Sequence, residues 1–311
     1  MASPLANGLA ALTLVLALAS PAGAALRVVA SLPDVADITR QIGGDRVDVT
    51  TIAEGGQDPH KVPVKPSFVT KLNRADALVV QGLGLEHAYL PALLEAARNS
   101  NIMPGAPGYI DSSLYIHALE VPESMSRAQG ELHALGNPHF NMDPSQGKLM
   151  ARAIAEGLER VDPAGKDAYE AGLDRFEKLL DQKIAEWDVL AAPLRGVKAV
   201  SYHPDIAYLA RHYGMELVGT IETKPGVPAT PGHIEELIQL MKQQKVQLVI
   251  REVAYELPLA QEVAERSGAR VVTVSSLTGG LPGTGSSYVD FIDANLRALV
   301  AAAKAGGGQS S

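Results

Sequence analysis

Residues 162–191, DPAGKDAYEAGLDRFEKLLDQKIAEWDVLA, carry the longest helical pattern in the chain. Tyr169, Leu173, Phe176, Leu180, Ile184 and Trp187 recur at steps of four and three, which keeps apolar side chains on one face of a helix. Asp162 is placed to act as N-cap, with Pro163 at the first helical position, where a missing N–H costs nothing. Pro193 and Gly196 close the run. A helix from Pro163 to about Ala191 would be roughly 40 Å long at 1.5 Å per residue, enough to run the length of two lobes.

Outward from this helix the chain alternates on both sides. Before it, residues 26–32, 47–53 and 77–82 read as strands, and residues 35–42, 66–74, 86–97 and 147–159 as helices. After it, residues 197–202, 216–221, 246–250 and 269–274 read as strands, interleaved with helices over 206–213, 233–243, 258–267 and 287–303. Such alternation predicts an α/β fold of two lobes, each with a mainly parallel sheet flanked by helices, joined by one long rigid helix. The expected division is a leader over 1–24, a first lobe over 25–162, the connecting helix over 163–192, a second lobe over 193–304 and a disordered Gly/Ser-rich tail over 305–311. Regularity lapses from 118 to 137, where Pro122, Gly130 and Gly136 break any period.

Composition narrows the function. Residues 1–24 hold no Asp, Glu, Lys or Arg and contain the apolar run LAALTLVLALA, ending in small residues at Ala22 and Ala24, as a secretory signal peptide does. No segment reaches the roughly 20 apolar residues of a membrane span, so membrane insertion is not expected. The 311 residues include no cysteine, which removes disulfides, thiolate ligands and a lipidated anchor, and points to a free periplasmic protein, read as a monomer. A formal net charge of −8 argues against nucleic acid as a partner and favours cations.

Three histidines stand beside prolines: His60 in Asp58-Pro-His, His139 in Asn137-Pro-His, and His203 in Ser201-Tyr-His-Pro204. They are 79 and 64 residues apart, so only tertiary structure can unite them. Ligands of parallel sheets bind beyond the carboxyl ends of the strands, and His60 and His203 follow strand-like runs. Three imidazoles in one cleft would suit a borderline metal such as zinc. Asp58 serves either to orient the His60 ring or to turn the chain before Pro59. Glu252, just after the strand at 246–250, is the candidate fourth ligand, with a salt bridge or a backbone contact as its competing roles. His133, six residues before His139, is either a loop ligand that hands metal to the site, a cap on the site or a solvated residue, and the last is the preferred reading. His87, His117, His212 and His233 are assigned to surface or packing roles.

At these residues the chain resembles the TroA-like (ZnuA-type) periplasmic zinc- and manganese-binding proteins of ABC importers. The resemblance covers nearly the whole chain after the leader. It rests on Asp58-Pro-His60 with Pro66-Ser67, on Asn137-Pro-His139-Phe-Asn-Met-Asp143-Pro144, on Tyr202-His203 with Ala207-Tyr208, and on Lys224-Pro-Gly-Val with Pro231 and Glu235-Glu236-Leu237. It implies the cluster A-I solute-binding fold, and a metal held by His60, His139, His203 and a fourth ligand. Many members carry an aspartate where this chain has Ser275, which leaves the fourth position to Glu252, to water or to the loop around His133. The resemblance also implies a membrane permease as partner, with a loading metallochaperone as a further candidate, and Zn2+ as cargo with Mn2+ as the alternative. Affinity should fall as pH drops through about 6.5, where imidazoles protonate. The competing class is a zinc hydrolase, since three histidines and an open position also activate water, but no His-Glu-x-x-His helix is present.

Overall fold

The computed structural model describes residues 24–122 and 133–307. The expected leader lies outside the described residues, apart from Ala24. The first sheet is made of β1 (Leu26–Ala30), β2 (Val47–Thr51), β3 (Ala77–Val80) and β4 (Tyr109–Asp111). The second is made of β5 (Lys198–Ser201), β6 (Glu216–Thr220), β7 (Leu248–Glu252) and β8 (Arg270–Val274). The spatial orders are β2-β1-β3-β4 and β6-β5-β7-β8, and every pairing is parallel. All strand ends that carry ligand chemistry therefore leave each sheet on one side, as parallel sheets built by helical crossovers require. β6 holds one residue more than β5 at this pairing: Leu217 faces Ala199 and Gly219 faces Val200, leaving Val218 as a bulge. The short strand β4 falls in a stretch that periodicity alone did not mark.

Helices α1 (Pro33–Gly43), α2 (Pro66–Arg74), α3 (Leu90–Ala97) and α4 (Pro144–Val161) belong to the first lobe. α5 (Lys166–Leu190) follows, and α6 (Ala207–Tyr213), α7 (Pro231–Gln244), α8 (Leu257–Ser267) and α9 (Tyr288–Gly307) complete the chain. Among the described residues no helix is long and apolar enough to cross a membrane. The long helix starts three residues later than expected, because Pro163–Gly165 form a 3-10 turn. Asp162 does not cap it. Its carboxylate instead accepts from Arg46 and from the Tyr169 hydroxyl at 2.8 Å, a charged partner outcompeting the helix N–H groups. α3 likewise begins at Leu90 rather than at residue 86, because Glu86 turns inward. α9 runs on through 305–307, which are helical rather than part of a loose tail; residues 308–311 lie outside the described ones.

The apolar face of α5 does what its spacing predicts. Tyr169, Phe176, Leu180 and Trp187 are buried in a core shared with α1, α4, α9 and residues of both sheets. A side chain at Gly172 would collide with the Ile42 carbonyl, its Cβ falling 2.1 Å away, so the glycine lets α5 lie directly on the end of α1. A second, smaller core of Val200, Val249, Leu237, Ile238, Met241 and Val263 closes the other face of the second sheet under α7 and α8.

Candidate metal centre

The two proline-histidine turns of the first lobe are built alike. The Asp58 carboxylate accepts a hydrogen bond from the His60 backbone N–H at 2.9 Å, and the Asn137 side-chain oxygen accepts from the His139 N–H at 3.0 Å. Each is an Asx turn across a proline, which fixes where the histidine leaves the backbone. Asp58 is thus a turn residue, its other oxygen facing Lys61 at 3.2 Å, and it does not hold the His60 ring. His203 stands two residues beyond β5, where the Tyr202 N–H still bonds the Ile250 carbonyl of β7 at 2.8 Å.

The structure brings His60, His139 and His203 together, and it adds His133. One ring nitrogen of each lies within 4.8 Å of the others, and the Nε2 atoms of His60 and His139 are 3.1 Å apart. The six separations between ring centroids run only from 5.1 to 5.3 Å. Six equal separations among four points define a regular tetrahedron. Its centre lies about 3.2 Å from each ring centroid, the sum of a ~2.1 Å zinc–nitrogen bond and the ~1.1 Å from ring nitrogen to ring centre. His133 Nε2 and His203 Nε2 are buried without hydrogen-bond partners, which is costly unless something else satisfies them. The reading of His133 as solvated is corrected: it is 9 % exposed, because the Gly136 N–H closes a turn on its carbonyl at 3.0 Å and carries it over the other three rings.

Glu252 is not a member of this group. It is fully buried at the end of β7 beside the carboxyl of Asp205, and neither of its oxygens has a donor among the described residues. Burial, and then the Asp205 charge, push its pKa well above the carboxylate range, and burial raises Asp205 as well. With its charged form disfavoured in this way, Glu252 is a poor metal ligand. Ser275 gives no oxygen to the centre either, since its hydroxyl donates to the Leu277 carbonyl at 2.7 Å.

The surroundings hold residues that sequence patterns did not single out. The Gln81 amide, just past β3, donates to the Pro138 carbonyl at 3.1 Å and to Asn141 at 3.3 Å, bracing the His139 turn. Glu86 in turn accepts from the Gln81 N–H at 2.7 Å and the Ser31 hydroxyl at 2.6 Å. Glu222, two residues past β6, sets an oxygen 2.6 Å from His203 Nδ1. The strand-end rule that located His203 would have located Glu222 too. Burial and the neighbouring rings hold His60 and His139 well below the ordinary imidazole value, and burial brings His133 to about 3. These rings are therefore neutral at pH 7, with lone pairs available.

Contacts across the cleft tie the lobes around this centre. The Asn137 amide donates to the Pro204 carbonyl at 2.7 Å, the Tyr208 hydroxyl to the Asn137 carbonyl at 2.8 Å, and the Asn141 amide to the Ser276 carbonyl at 2.9 Å. Asp34 accepts from both the hydroxyl and N–H of Thr278. The loops after β2 and β8 meet backbone to backbone, where a Cβ on Gly55 would lie 2.3 Å from the Thr278 carbonyl and one on Gly280 would lie 2.2 Å from the Gly55 carbonyl.

A family model described as ZnuA, zinc-uptake complex component A, periplasmic, matches residues 28–302. The chain belongs to this family. Its members are the periplasmic metal-binding components of ABC transporters. The crystal structure of ZnuA superposes with a TM-score of 0.75 at 28% identity, covering 89% of this chain and 99% of that one. The Mn-bound periplasmic metal binding protein from Candidatus Liberibacter asiaticus, at 22% identity and a TM-score of 0.73, covers 89% and 98% and shares the fold. The manganese-binding lipoprotein MntA of Halalkalibacterium halodurans is 26% identical over 89% of this chain and 88% of its own length. The manganese ABC transporter substrate-binding lipoprotein PsaA of Streptococcus pneumoniae is 28% identical over 88% and 87%. Both relatives are named as lipoproteins, so the expectation of a protein without a lipid anchor is not borne out.

Proposed function

We propose that the protein captures zinc outside the cytoplasm through His60, His133, His139 and His203, and delivers it to the membrane permease of an ABC importer. The tetrahedral disposition of the four rings carries this reading. Zinc accepts four imidazole nitrogens in that geometry, whereas manganese favours carboxylate, carbonyl and water oxygens in an octahedron. Of the buried carboxyls around the centre, Glu222 is turned to the Nδ1 of His203 rather than to the four-ring cluster, and Glu252 has its charged form disfavoured by burial. Four imidazoles also fill every tetrahedral position, leaving none for the water that a zinc hydrolase would activate. Manganese is the second reading, because two of the relatives described above are named for it.

With three rings held neutral well below pH 6.5, proton competition at those ligands sets in at lower pH than free imidazole would give. The experiment is competition for metal between chelator-stripped protein and an indicator of known affinity, run with zinc and manganese in parallel. Zinc should bind at least a hundredfold more tightly. Equal affinities, or tighter manganese binding, would count against the proposal.

A further inference from the structure

We propose that Glu222 is a positioning residue for metal capture: through His203 Nδ1 it holds the second lobe's imidazole with its Nε2 lone pair turned into the cleft. The inference rests on the zinc reading above. The 2.6 Å contact joins two groups whose side chains are 1% and 9% exposed, so neither partner has water as a substitute. With the carboxylate as acceptor, the neutral ring must donate from Nδ1, which leaves the lone pair on Nε2. That Nε2 is the buried atom without a partner.

The carboxylate is itself fixed. The same Glu222 oxygen accepts from the Gly226 N–H at 3.0 Å, the Thr220 hydroxyl donates to the Glu222 carbonyl at 2.8 Å, and the Glu222 N–H bonds the Tyr202 carbonyl at 3.0 Å. The ring is held on its face as well, stacked on Tyr255 with centroids 5.5 Å apart and planes 20° apart, while Tyr255 stacks on Tyr202 at 4.9 Å. Among the described residues, His203 alone of the four has a carboxylate on its outer nitrogen. His60 and His139 are placed through their backbones by Asx turns. The difference follows from where the ligands come from. Three rings reach the cleft from the first lobe and one from the second, so the Glu222 contact governs the single bond by which metal would join the lobes. A carboxylate behind a ligating imidazole orients it and raises its basicity, and removing such a partner typically costs 10–100-fold in metal affinity.

The test compares Glu222→Ala and Glu222→Gln with the natural chain, first without metal and then with zinc. In metal-free protein, nitrogen chemical shifts of the His203 ring should report a single Nδ1–H tautomer in the natural chain and a mixture in Glu222→Ala. Zinc affinity by indicator competition should fall 10–100-fold in Glu222→Ala and less in Glu222→Gln, which keeps an acceptor and guards against misfolding as the cause. Unfolding midpoints of the metal-free proteins, measured alongside, separate a folding defect from a binding one. An unchanged tautomer in Glu222→Ala, or affinity within threefold of the natural chain, would overturn the proposal. Failure of the natural chain to bind zinc would refute the zinc reading instead, while the metal-free tautomer would still decide the role of Glu222.

Discussion

His212 Nδ1, on α6 of the second lobe, lies 2.7 Å from the Asp143 carboxylate, which also caps the start of α4 in the first lobe by accepting from the Ser145 N–H. Burial opposes charge on this imidazole, but the hydrogen bond and charge of Asp143, with Asp188 at 3.6 Å, outweigh it and leave the pKa raised. A histidine read from sequence as surface or packing is thus an ionic tie between lobes. A raised histidine pKa contributes stability that is complete below the unfolded value of about 6.5 and is lost as pH rises through the folded value. His212→Gln should therefore cost about 1–2 kcal/mol at pH 5.5, with the deficit shrinking as pH rises beyond the folded value. Thermal unfolding of both proteins across pH checks this, and a deficit independent of pH would refute it.

Single alanine replacements of His60, His133, His139 and His203 should each weaken zinc binding by more than 100-fold, exceeding the 10–100-fold loss typical of outer partners. His133→Ala is the informative member of the set. If it binds as tightly as the natural chain, the centre has three imidazole ligands rather than four. Glu252→Gln, which keeps the size and the donor of a protonated carboxyl, should leave zinc affinity within about threefold.

The backbone contact between the loops at Gly55 and Gly280 leaves no room for a methyl group. Gly55→Ala should hold the loops apart, weakening zinc binding while leaving the far-ultraviolet circular dichroism unchanged. Unchanged affinity would show that the loops yield without disturbing the rings.

Leu180 is fully buried on α5, whereas Val189, on the same helix, is 78% exposed. Leu180→Ala should cost about 2–5 kcal/mol through lost burial and a residual cavity, and Val189→Ala should stay within about 0.5 kcal/mol. Denaturant midpoints measured without metal will separate the two.

The features legible in the sequence were those written in local periodicity or in a repeated local device. The step-three and step-four spacing along 169–187 marked α5, and the two Asx-Pro-His turns marked His60 and His139. What escaped depends on partners distant in the chain. Asp162 had the residue type and position of a cap, but Arg46, 116 residues away, claims its carboxylate. Glu252 sat at the right strand end, yet burial and then the charge of Asp205 disfavour its ionised form. His133 had no regular element to orient it, and its place over the other rings comes from the fold around 133–137 rather than from any pattern of its own.

The chain beyond the bulge at Val218 gives the centre a constraint of another kind. Successive strand residues alternate faces, so one residue more or fewer between Gly219 and Glu222 would turn the carboxylate away from His203, whereas a change in number at Val218 is absorbed by the bulge. The dependence is on strand length, which changes by whole residues. Substitution of either partner removes the Glu222–His203 contact, and an insertion or deletion between Gly219 and Glu222 would remove it with both residues still encoded. Loss of Val218 itself would leave Leu217 and Gly219 in regular register against Ala199 and Val200, so the contact would outlast the bulge.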